Sequence, residues 1–299
     1  MSTTQSIRAG RRTVEVTRPE KVLFPADGIT KADLVAYYRA VASRMLPHLR
    51  GRPLMLERNP DGIEGPGFMQ KEVPDHFPDW MDRAALPKEE GEVTHALCND
   101  TASLIYLANQ GCITLHRWLS KADRPDNPDR LVFDLDPADE DFEPVRQAAR
   151  RLHRLLEELA LPSLPMTTGS RGLHVIVPLD RTASFAEVHG FARDLAEELA
   201  SRHPEELTTA PRKAARKGRL YLDVQRNGYA QTAVAPYAVR ARAGAPVAAP
   251  MAWDELDDPE LGARKWTLAR VEDLLDRNPW TDAPRGRSLA GASRRLAEC

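Results

Sequence analysis

Residues 130–137, Arg-Leu-Val-Phe-Asp-Leu-Asp-Pro, constrain the fold and the chemistry of this chain more than any other stretch. Apolar and β-branched residues lead up to a proline, which predicts a β-strand that ends there. Because strand side chains alternate, Asp134 and Asp136 project from one face and the apolar residues point toward a core. Two neighbouring carboxylates repel each other unless a cation lies between them, so the pair predicts one or two hard divalent metal ions. The alternative is a strand end that runs into a polar loop.

Length, composition and charge describe an ordinary globular protein. With 299 residues, of which 42% are hydrophobic, the chain can bury a substantial core, either as one large domain or as two closely packed lobes. The formal net charge of −2 predicts no general attraction to nucleic acid. Residues 8–21 and 212–219 are nevertheless basic. A local basic groove can still bind phosphates, because its field is screened only beyond about 10 Å at ordinary salt.

Cysteine usage and hydropathy indicate the compartment. Cys98, Cys112 and Cys299 are odd in number and scattered, and no Cys-x-x-Cys pair occurs, so the sequence supports neither a disulfide framework nor a zinc site. The N-terminus lacks the apolar run of a signal peptide, and no apolar run approaches the ~20 residues that span a bilayer. We therefore expect a cytosolic protein in a reducing compartment.

The order of predicted elements is α+β, with helices between strands rather than a regular βαβ array. We predict a flexible leader over residues 1–12, a domain of two closely packed lobes over residues 13–278, and a polar, frayed tail over residues 279–299. Met1 and the unstructured tail, with no ligase motif or phosphoesterase segment after the domain, favour a stand-alone protein over an excised domain.

Local signals predict where several elements begin and end. Thr30 and Ser184 each start a capping box, which predicts a helix from each position. Pro47 is expected to end the first of these helices. Residues 74–87 are rich in proline and aromatics and are predicted to be irregular, with a short helix at Trp80.

A third carboxylate, Asp223, also follows an apolar strand-like run, where an unpaired charge is costly. Together with Asp134 and Asp136 it makes a trio of the type that holds two metal ions about 3.5–4 Å apart for in-line phosphoryl transfer. One ion would lower the pKa of an attacking 3′-hydroxyl, and the other would hold the triphosphate and the leaving pyrophosphate. The alternative is a structural ion pair between Asp223 and Arg219 or Arg226.

A glycine-containing turn over residues 168–174, Thr-Gly-Ser-Arg-Gly-Leu-His, is the second constellation. Its glycines let the backbone approach a ligand, and its hydroxyl, guanidinium and imidazole groups suit a triphosphate. It is not a Walker A motif, because the spacing differs and no Lys-Ser/Thr follows. Many hairpins carry Gly-Ser, so the turn becomes informative only because it enters an apolar strand soon after the Asp-x-Asp strand.

Two further features are weaker. His116 lies on a predicted strand, where a lone histidine is usually structural, and it gains a role only if it joins the metal site. A set of basic and aromatic residues suits a groove that tracks a nucleic-acid backbone and stacks bases, although a solvated basic face is the alternative. This set comprises Arg58, Phe68, Lys71, Trp118, Lys121, Arg240 and residues 212–219.

With these pieces in order, the chain resembles the polymerase domain of bacterial ligase D, a branch of the archaeo-eukaryotic primase superfamily. The resemblance covers about residues 14–277, and its specific segments are residues 21–25, 28–31, 51–53, 130–137, 168–178 and 223–240. It implies a primase-polymerase fold, in which a central antiparallel, RRM-like catalytic sheet packs against a second sheet and flanking helices.

The family resemblance implies a DNA-dependent primase-polymerase that adds nucleotides, with ribonucleotides preferred, to a 3′-hydroxyl by two-metal catalysis in non-homologous end joining. Implied cofactors are two Mn²⁺ or Mg²⁺ ions. Implied partners are DNA ends or gaps with a 5′-phosphate, NTPs or dNTPs, a Ku-type protein and a DNA ligase, and we expect a monomer in the bacterial cytosol, associated with the nucleoid. Alternatives are gap filling in excision repair, a non-catalytic DNA-end binding module, and a metal-dependent nuclease, which leaves the turn at residues 168–174 unexplained.

The resemblance also assigns roles by position. The catalytic metal carboxylates are Asp134, Asp136 and Asp223. The nucleotide-binding residues are His116, Thr168, Ser170, Arg171, Gly172, His174, Arg216 and Arg240. The residues for the downstream 5′-phosphate are Lys21 and Lys31, and those along the template path are Arg58, Phe68, which stacks on the template, and Lys71.

Four positions depart from the family pattern. Met69 stands where a second phenylalanine is usual, which weakens a stacking platform worth roughly 1–3 kcal/mol per base. Glu57 occupies a position that is basic in some relatives. Arg171 replaces a lysine, which keeps the charge but alters its geometry, and Thr168 replaces a serine and keeps the hydroxyl. None of these changes touches the metal carboxylates, so we expect activity, with template handling altered.

Overall fold

The computed structural model describes residues 3–298. Cys299 therefore lies outside the described residues, whereas Cys98 and Cys112 are buried free thiols. Burial raises the pKa of Cys112 to about 12, so this thiol is unreactive at neutral pH. Among residues 3–298, no helix has the length and apolar character needed to cross a membrane.

The strands and helices alternate irregularly along the chain. The strands are β1 Thr4–Ala9, β2 Arg12–Thr17, β3 Val22–Phe24, β4 Ile29–Thr30, β5 Leu54–Arg58, β6 Phe68–Gln70, β7 Arg83–Pro87, β8 Glu92–Ala96, β9 Cys112–Trp118, β10 Arg130–Asp136, β11 Leu164–Thr167, β12 Leu173–Pro178, β13 Leu207–Thr208, β14 Leu220–Asp223 and β15 Thr232–Val234. The α-helices are α1 Lys31–Leu49, α2 Thr101–Asn109, α3 Glu143–Glu158, α4 Phe185–Arg202, α5 Lys213–Arg216, α6 Val271–Leu275 and α7 Leu289–Leu296. Short 3₁₀ helices span Pro25–Asp27, Gln225–Asn227, Asp254–Asp257 and Leu268–Arg270.

The first of two compact units contains Met1–Asp123, Val234–Ala248 and Trp266–Arg277. Its main sheet has the strand order β15-β9-β5-β6, where β15 is the strand at which the chain re-enters this unit. Helix α1 anchors one returning segment and the main sheet, because the hydroxyl of Tyr37 donates to the carbonyl of Tyr237 at 2.9 Å and that of Tyr38 donates to the carbonyl of Ile113 in β9 at 2.6 Å. The predicted capping box at Thr30 is confirmed.

The predicted flexible leader is wrong, because residues 4–9 pair with residues 12–17 as an antiparallel hairpin. Ile7 faces Val14 across the two strands, and both side chains are buried together with Val16. The hairpin is therefore held by an apolar face, while its arginines and polar residues face solvent. The arginine-rich composition concealed this alternation in the sequence.

The predicted frayed tail is also wrong in part, because α7 lies within residues 279–299. Ser288 caps this helix by accepting from the N–H of Ala290, and Leu289 and Ala292 are buried. Two buried residues in eight were too few to mark a helix by periodicity alone.

Two smaller predictions need correction. Residues 83–87, predicted to be irregular, form strand β7, which pairs with β8. Trp80 lies in a turn closed by a hydrogen bond from the Met81 N–H to the Pro78 carbonyl rather than in a helix. Helix α1 continues two residues past Pro47 to Leu49. A proline in the last helical turn removes only one hydrogen bond, so the helix does not need to end at that residue.

The second unit contains Arg124–Ala233, Ala249–Lys265 and Asn278–Cys299, and it is built on a five-stranded sheet. The strand order is β11-β12-β10-β14-β13, and every pair is antiparallel except β13 with β14. Helices α3 and α4 both contact β10. The predicted capping box at Ser184 is confirmed at the start of α4.

Asn227 completes the hydrogen bonding of β10 where β14 leaves it. β14 pairs with β10 only opposite residues 134–136. At Val132, which precedes these residues in β10, the Asn227 side chain accepts from the backbone N–H at 2.8 Å and donates to the carbonyl at 2.8 Å. Asn227 is fully buried, so this amide acts as a substitute strand for a segment that water cannot reach.

We expect Asn227→Ala to lower the free energy of unfolding by about 2–4 kcal/mol, because two buried backbone groups of Val132 lose their partners. Urea unfolding measures this loss. The matched control is Asn127→Ala, which removes one half-buried hydrogen bond to the Ala183 carbonyl and should cost about 1 kcal/mol or less. Equal losses in the two variants would contradict the special role of Asn227.

Candidate active site

Antiparallel pairing of β10 with β14 sets two carboxylates directly opposite each other. Asp134 and Asp223 are register partners, as are Asp136 and Tyr221. The side chains of Asp134 and Asp136 are 16% and 28% exposed, and both residues lie within the strand. The polar-loop alternative is therefore wrong, and the predicted alternation is confirmed by Leu135, which is fully buried.

Burial raises the pKa of the Asp223 carboxyl above its ordinary value, and the negative charge of Asp134 adds to the rise. The N–H of Gln225, which donates to Asp223 Oδ1 at 2.8 Å, opposes this rise. The Tyr221 hydroxyl lies 3.4 Å from the same oxygen, and burial together with the Asp223 charge raises the pKa of Tyr221 to about 12. Burial and like charge thus outweigh these hydrogen bonds, so the charged form of Asp223 is disfavoured at this position.

Arginines neutralise the other carboxylates of the strand. Asp136 Oδ1 lies 3.0 Å from Arg171 Nη2, and Asp136 Oδ2 lies 2.8 Å from Arg216 Nη1. Arg226, considered above as a partner of Asp223, lies with its Nη2 3.5 Å from Asp134 Oδ2 instead. Arg219, the other such candidate, donates to the backbone carbonyls of residues 204, 215 and 216.

The donor set suits a hard divalent cation. Across residues 3–298 no three His, Cys, Asp or Glu side chains are already arranged as a metal site, and the Asp136 carboxylate is turned toward two guanidinium groups. Asp134 and Asp223 nevertheless present opposed oxygens whose repulsion a cation would relieve. Asp134 and Asp223 therefore fit a divalent metal ion.

The turn over residues 168–174 adjoins these carboxylates, because His174 is the register partner of Asp134 on the other side of β10. The turn is closed by Thr168, whose N–H and hydroxyl both donate to the Gly172 carbonyl, at 3.1 and 3.0 Å. Gly172 cannot be replaced without a shift, since a Cβ there would lie 2.0 Å from the Leu135 carbonyl oxygen. Close packing of the turn on β10 thus requires glycine.

Two side chains in and near the turn stand out. His174 is 3% exposed, its Nε2 lies 3.5 Å from Asp134 Oδ2, and its Nδ1 is buried without a hydrogen-bond partner within residues 3–298. Arg264 Nε donates to the Ser170 carbonyl at 2.7 Å, and its Nη2 lies 3.4 Å from Glu140. Arg264 is 94 residues from Ser170, and no sequence pattern signalled it.

His116 and Arg240 belong to the first unit, and both act on Glu57 there. His116 Nε2 lies 3.6 Å from Glu57 Oε2. The His116 hydrogen bond holds the pKa of Glu57 below its ordinary value, and the charge of Arg240 contributes less. Pairing with a carboxylate agrees with the structural alternative for His116, and its role at a metal or nucleotide remains a prediction.

Lys21 and Lys31 come together in the first unit with a third cation, Arg18. Lys31 is 4% exposed, and its Nζ donates to the Thr17 carbonyl at 2.7 Å. Burial lowers the pKa of Lys31 to about 8, and the positive charges of Arg18 and Lys21 contribute to this fall. Lys21 Nζ is 2.5 Å from Asp61 Oδ1. Sequence reasoning missed Arg18, which has a positive φ of 50°.

The predicted template residues meet at the edge strand β6. Phe68 pairs with Arg58 in register, and the Arg58 guanidinium lies 5.4 Å from the Phe68 ring centroid. Phe68 and Met69 are each 48% exposed, which is unusual for large apolar side chains. Lys71, the first residue after β6, is exposed. An exposed ring beside a guanidinium suits stacking on a nucleic-acid base.

The opposed carboxylates and the adjoining turn are the arrangement of a nucleotidyltransferase. A family model of the LigD primase-polymerase domain matches residues 30–281. The chain therefore belongs to the LigD primase-polymerase domain family, whose members are metal-dependent nucleotidyltransferases and DNA-directed polymerases. The predicted enzyme class, a nucleotidyltransferase, is therefore confirmed, and the family is neither that of a nuclease nor that of a non-catalytic binding module.

Curated relatives agree with this family. The chain is 35% identical over 267 residues to the multifunctional non-homologous end joining protein LigD of Mycolicibacterium smegmatis, covering 88% of this chain and 34% of the relative. It is 35% identical over 290 residues to the LigD DNA repair protein of Mycobacterium tuberculosis H37Rv, covering 92% and 38%. The chain thus spans about a third of the length of these relatives.

A solved structure confirms the predicted α+β primase-polymerase fold. The polymerase domain of Mycobacterium tuberculosis ligase D, determined in complex with DNA, superposes with a TM-score of 0.84 at 34% sequence identity. The match covers 89% of this chain and 95% of that domain.

Proposed function

We propose that this chain adds nucleotides to a DNA 3′-hydroxyl, directed by a template, during non-homologous end joining in bacteria. One observation carries the proposal: Asp134 has Asp223 on one side and His174 on the other within a single sheet. A carboxylate pair suited to divalent cations therefore adjoins a turn suited to phosphates. Neither feature alone distinguishes polymerisation from hydrolysis.

Two Mn²⁺ or Mg²⁺ ions, held by Asp134, Asp136 and Asp223, are part of the proposal. When bound, such ions lower the pKa of the 3′-hydroxyl and offset the charge of the triphosphate. The chain contributes the oxygen donors and a rigid strand that keeps them at fixed spacing. Arg171 and Arg216 pair with Asp136, and we expect them to transfer these hydrogen bonds to phosphate oxygens when a nucleotide binds.

The proposed nucleotide pocket consists of the turn and its neighbours. Thr168 closes the turn, and Arg264 fixes the Ser170 carbonyl, which orients the following peptide N–H away from Arg264 because the peptide is trans. His174 lies with its Nε2 3.5 Å from Asp134 Oδ2, which puts its ring beside the proposed metal carboxylates. The full proposed set is His116, Thr168, Ser170, Arg171, Gly172, His174, Arg216 and Arg240. A ribonucleotide preference belongs to the proposal on the family resemblance alone.

For DNA, we propose that Lys21 and Lys31 grip a downstream 5′-phosphate and that Arg58, Phe68 and Lys71 follow the template. Burial is the main cause of the lowered pKa of Lys31, and the charges of Arg18 and Lys21 add to it; a bound phosphate would offset that repulsion, which supports an anion site. The exposed Phe68 ring supports base stacking, whereas Met69 makes a weaker second platform.

The proposed setting follows from the relatives, which are named as end-joining proteins. We propose DNA ends and gaps, NTPs or dNTPs, a Ku-type protein and a DNA ligase as partners, and a monomer that works at the bacterial nucleoid in the cytosol. Gap filling in excision repair would use the same lysines at the downstream 5′-phosphate. A primer-extension panel of gapped, overhanging and single-stranded DNA would separate these uses.

Replacing a metal carboxylate tests the proposed reaction. We expect Asp134→Asn or Asp136→Asn to lower primer extension by about a hundredfold or more, since charge stabilisation at the reacting phosphate is lost. DNA affinity should be nearly unchanged. Primer extension with Mn²⁺, pyrophosphate release and fluorescence anisotropy measure the three quantities. Asp139→Asn, in the loop after β10, is the matched control and should keep activity. Near-normal extension by either strand variant would refute the metal role.

Recognition of the 5′-phosphate should depend on pH. Because the pKa of Lys31 is lowered to about 8, its ammonium loses its proton as pH rises through that value, and preference for phosphorylated gaps should decline above about pH 8. Lys21→Ala with Lys31→Ala should abolish a preference of roughly tenfold. Anisotropy with phosphorylated and unphosphorylated gaps measures the ratio. Lys88→Ala, at an exposed lysine, should keep it, and an equal affinity of the unmutated protein for both gaps would contradict the assignment.

A further inference from the structure

A groove of about 640 Å³ runs between strand β1 and helix α1 in the first unit. Residues 5–8 of β1 line one wall, and Ala32, Ala36 and Arg39 of α1 are among those that line the other. Arg8 and Arg39 stand on opposite walls, and both are exposed. Sequence reasoning treated this part of β1 as a flexible leader, so it assigned the groove no role.

The lining of the groove begins at Ala32 and Gln5, one residue past Lys31 and Thr4, and so lies close to the Arg18–Lys21–Lys31 cluster. Lys31 is the first residue of α1, and its Nζ donates to the carbonyl of Thr17, the last residue of β2. Thr17 pairs across the hairpin with Thr4, near the start of β1. Both walls therefore begin beside the Lys31 ammonium.

The two arginines lie at similar distances from that starting point. Arg39 follows Lys31 by eight residues, which is about 12 Å along a helix. Arg8 follows Thr4 by four residues, which is about 13 Å along a strand. The groove therefore carries one arginine on each wall, and the backbone of each arginine lies about 12–13 Å along its element from the residue beside the cluster.

The charge of the groove favours a polyanion. Neither the Arg8 nor the Arg39 guanidinium has a hydrogen bond or an ion pair in the described part of the chain. The lining carries one acidic residue against these two arginines: Asp33, whose carboxylate accepts from Thr30 in the helix cap. Glu15, on the neighbouring strand, accepts from the Ser6 hydroxyl at 2.6 Å. The two arginines are thus available to an external phosphate.

We infer that this groove binds the backbone of the DNA strand downstream of the gap, near its fourth or fifth phosphate when the 5′-phosphate is counted as the first. The inference rests on the proposed role of Lys21 and Lys31 at the 5′-phosphate. A strand in duplex DNA advances 3.4 Å along the axis per nucleotide, so about 12–13 Å corresponds to roughly four nucleotides. Continuity with the cation cluster favours DNA over an acidic protein segment as the occupant.

A cycle of protein and DNA changes tests the contact. The protein variants are the unmutated chain and Arg8→Ala with Arg39→Ala, and the probe is gapped DNA with a 5′-phosphate on the downstream strand. In a second probe, methylphosphonates neutralise the third to fifth downstream phosphates, and in a control probe they neutralise the tenth to twelfth. Arg193→Ala with Arg294→Ala, at exposed positions of α4 and α7, is the matched control for charge.

We expect neutralising the third to fifth phosphates to weaken binding of the unmutated protein roughly tenfold, with little effect in the control probe. The double variant should lose a similar factor on native DNA and no more on neutralised DNA, because the same contacts are removed. The slope of log affinity against log salt should become shallower by about 2. The Arg193 and Arg294 variant should behave like the unmutated protein.

Five results would overturn the inference. Unchanged affinity of the double variant would show that the arginines do not touch DNA, and additive losses in the cycle would place their contacts elsewhere. Arginine-dependent binding of a glutamate-rich peptide, with no response to phosphate neutralisation, would make the groove a protein site. If the unmutated protein ignores the 5′-phosphate, both the lysine role and the groove fail; if it prefers the 5′-phosphate without responding to neutralisation, the groove alone fails.

Discussion

The opposition of Asp134 and Asp223 across two antiparallel strands is the constraint on which the site depends. The sheet fixes both side chains, so neither can move away without loss of register. Burial and like charge raise the pKa of Asp223, which measures the cost of this arrangement. Arg171 and Arg216 compensate Asp136. The fold therefore keeps two carboxylates close enough to repel each other, and a divalent cation between them would relieve this repulsion.

The support for the phosphate-suited turn comes from distant parts of the sequence. Gly172 allows the turn to pack against the Leu135 carbonyl, and Thr168 closes it with two hydrogen bonds. Arg264 holds the Ser170 carbonyl from a segment near the end of the chain. Asn227 keeps β10 bonded where β14 ends. Rigid positioning of the donors before substrate arrives is what phosphoryl transfer chiefly requires of a protein.

The strand with Asp134, the capping boxes and the turn before His174 could be predicted because each depends on local alternation or on turn chemistry. Strand β1 and α7 could not, since their apolar residues are few and their stability comes from packing on other elements. Arg264 and the burial of Lys31 depend on contacts between distant segments, which periodicity does not encode. Roles of individual residues toward nucleotide and DNA came from family resemblance rather than from spacing.

The most direct test of the account is thermal unfolding with and without Mn²⁺ for the unmutated protein and for Asp223→Asn. Relief of the carboxylate repulsion predicts that the variant unfolds at a higher temperature in the absence of metal. The account also predicts that Mn²⁺ raises the unfolding temperature of the unmutated protein and leaves that of the variant nearly unchanged. A variant that is less stable without metal, or that gains as much from Mn²⁺ as the unmutated protein, would contradict it.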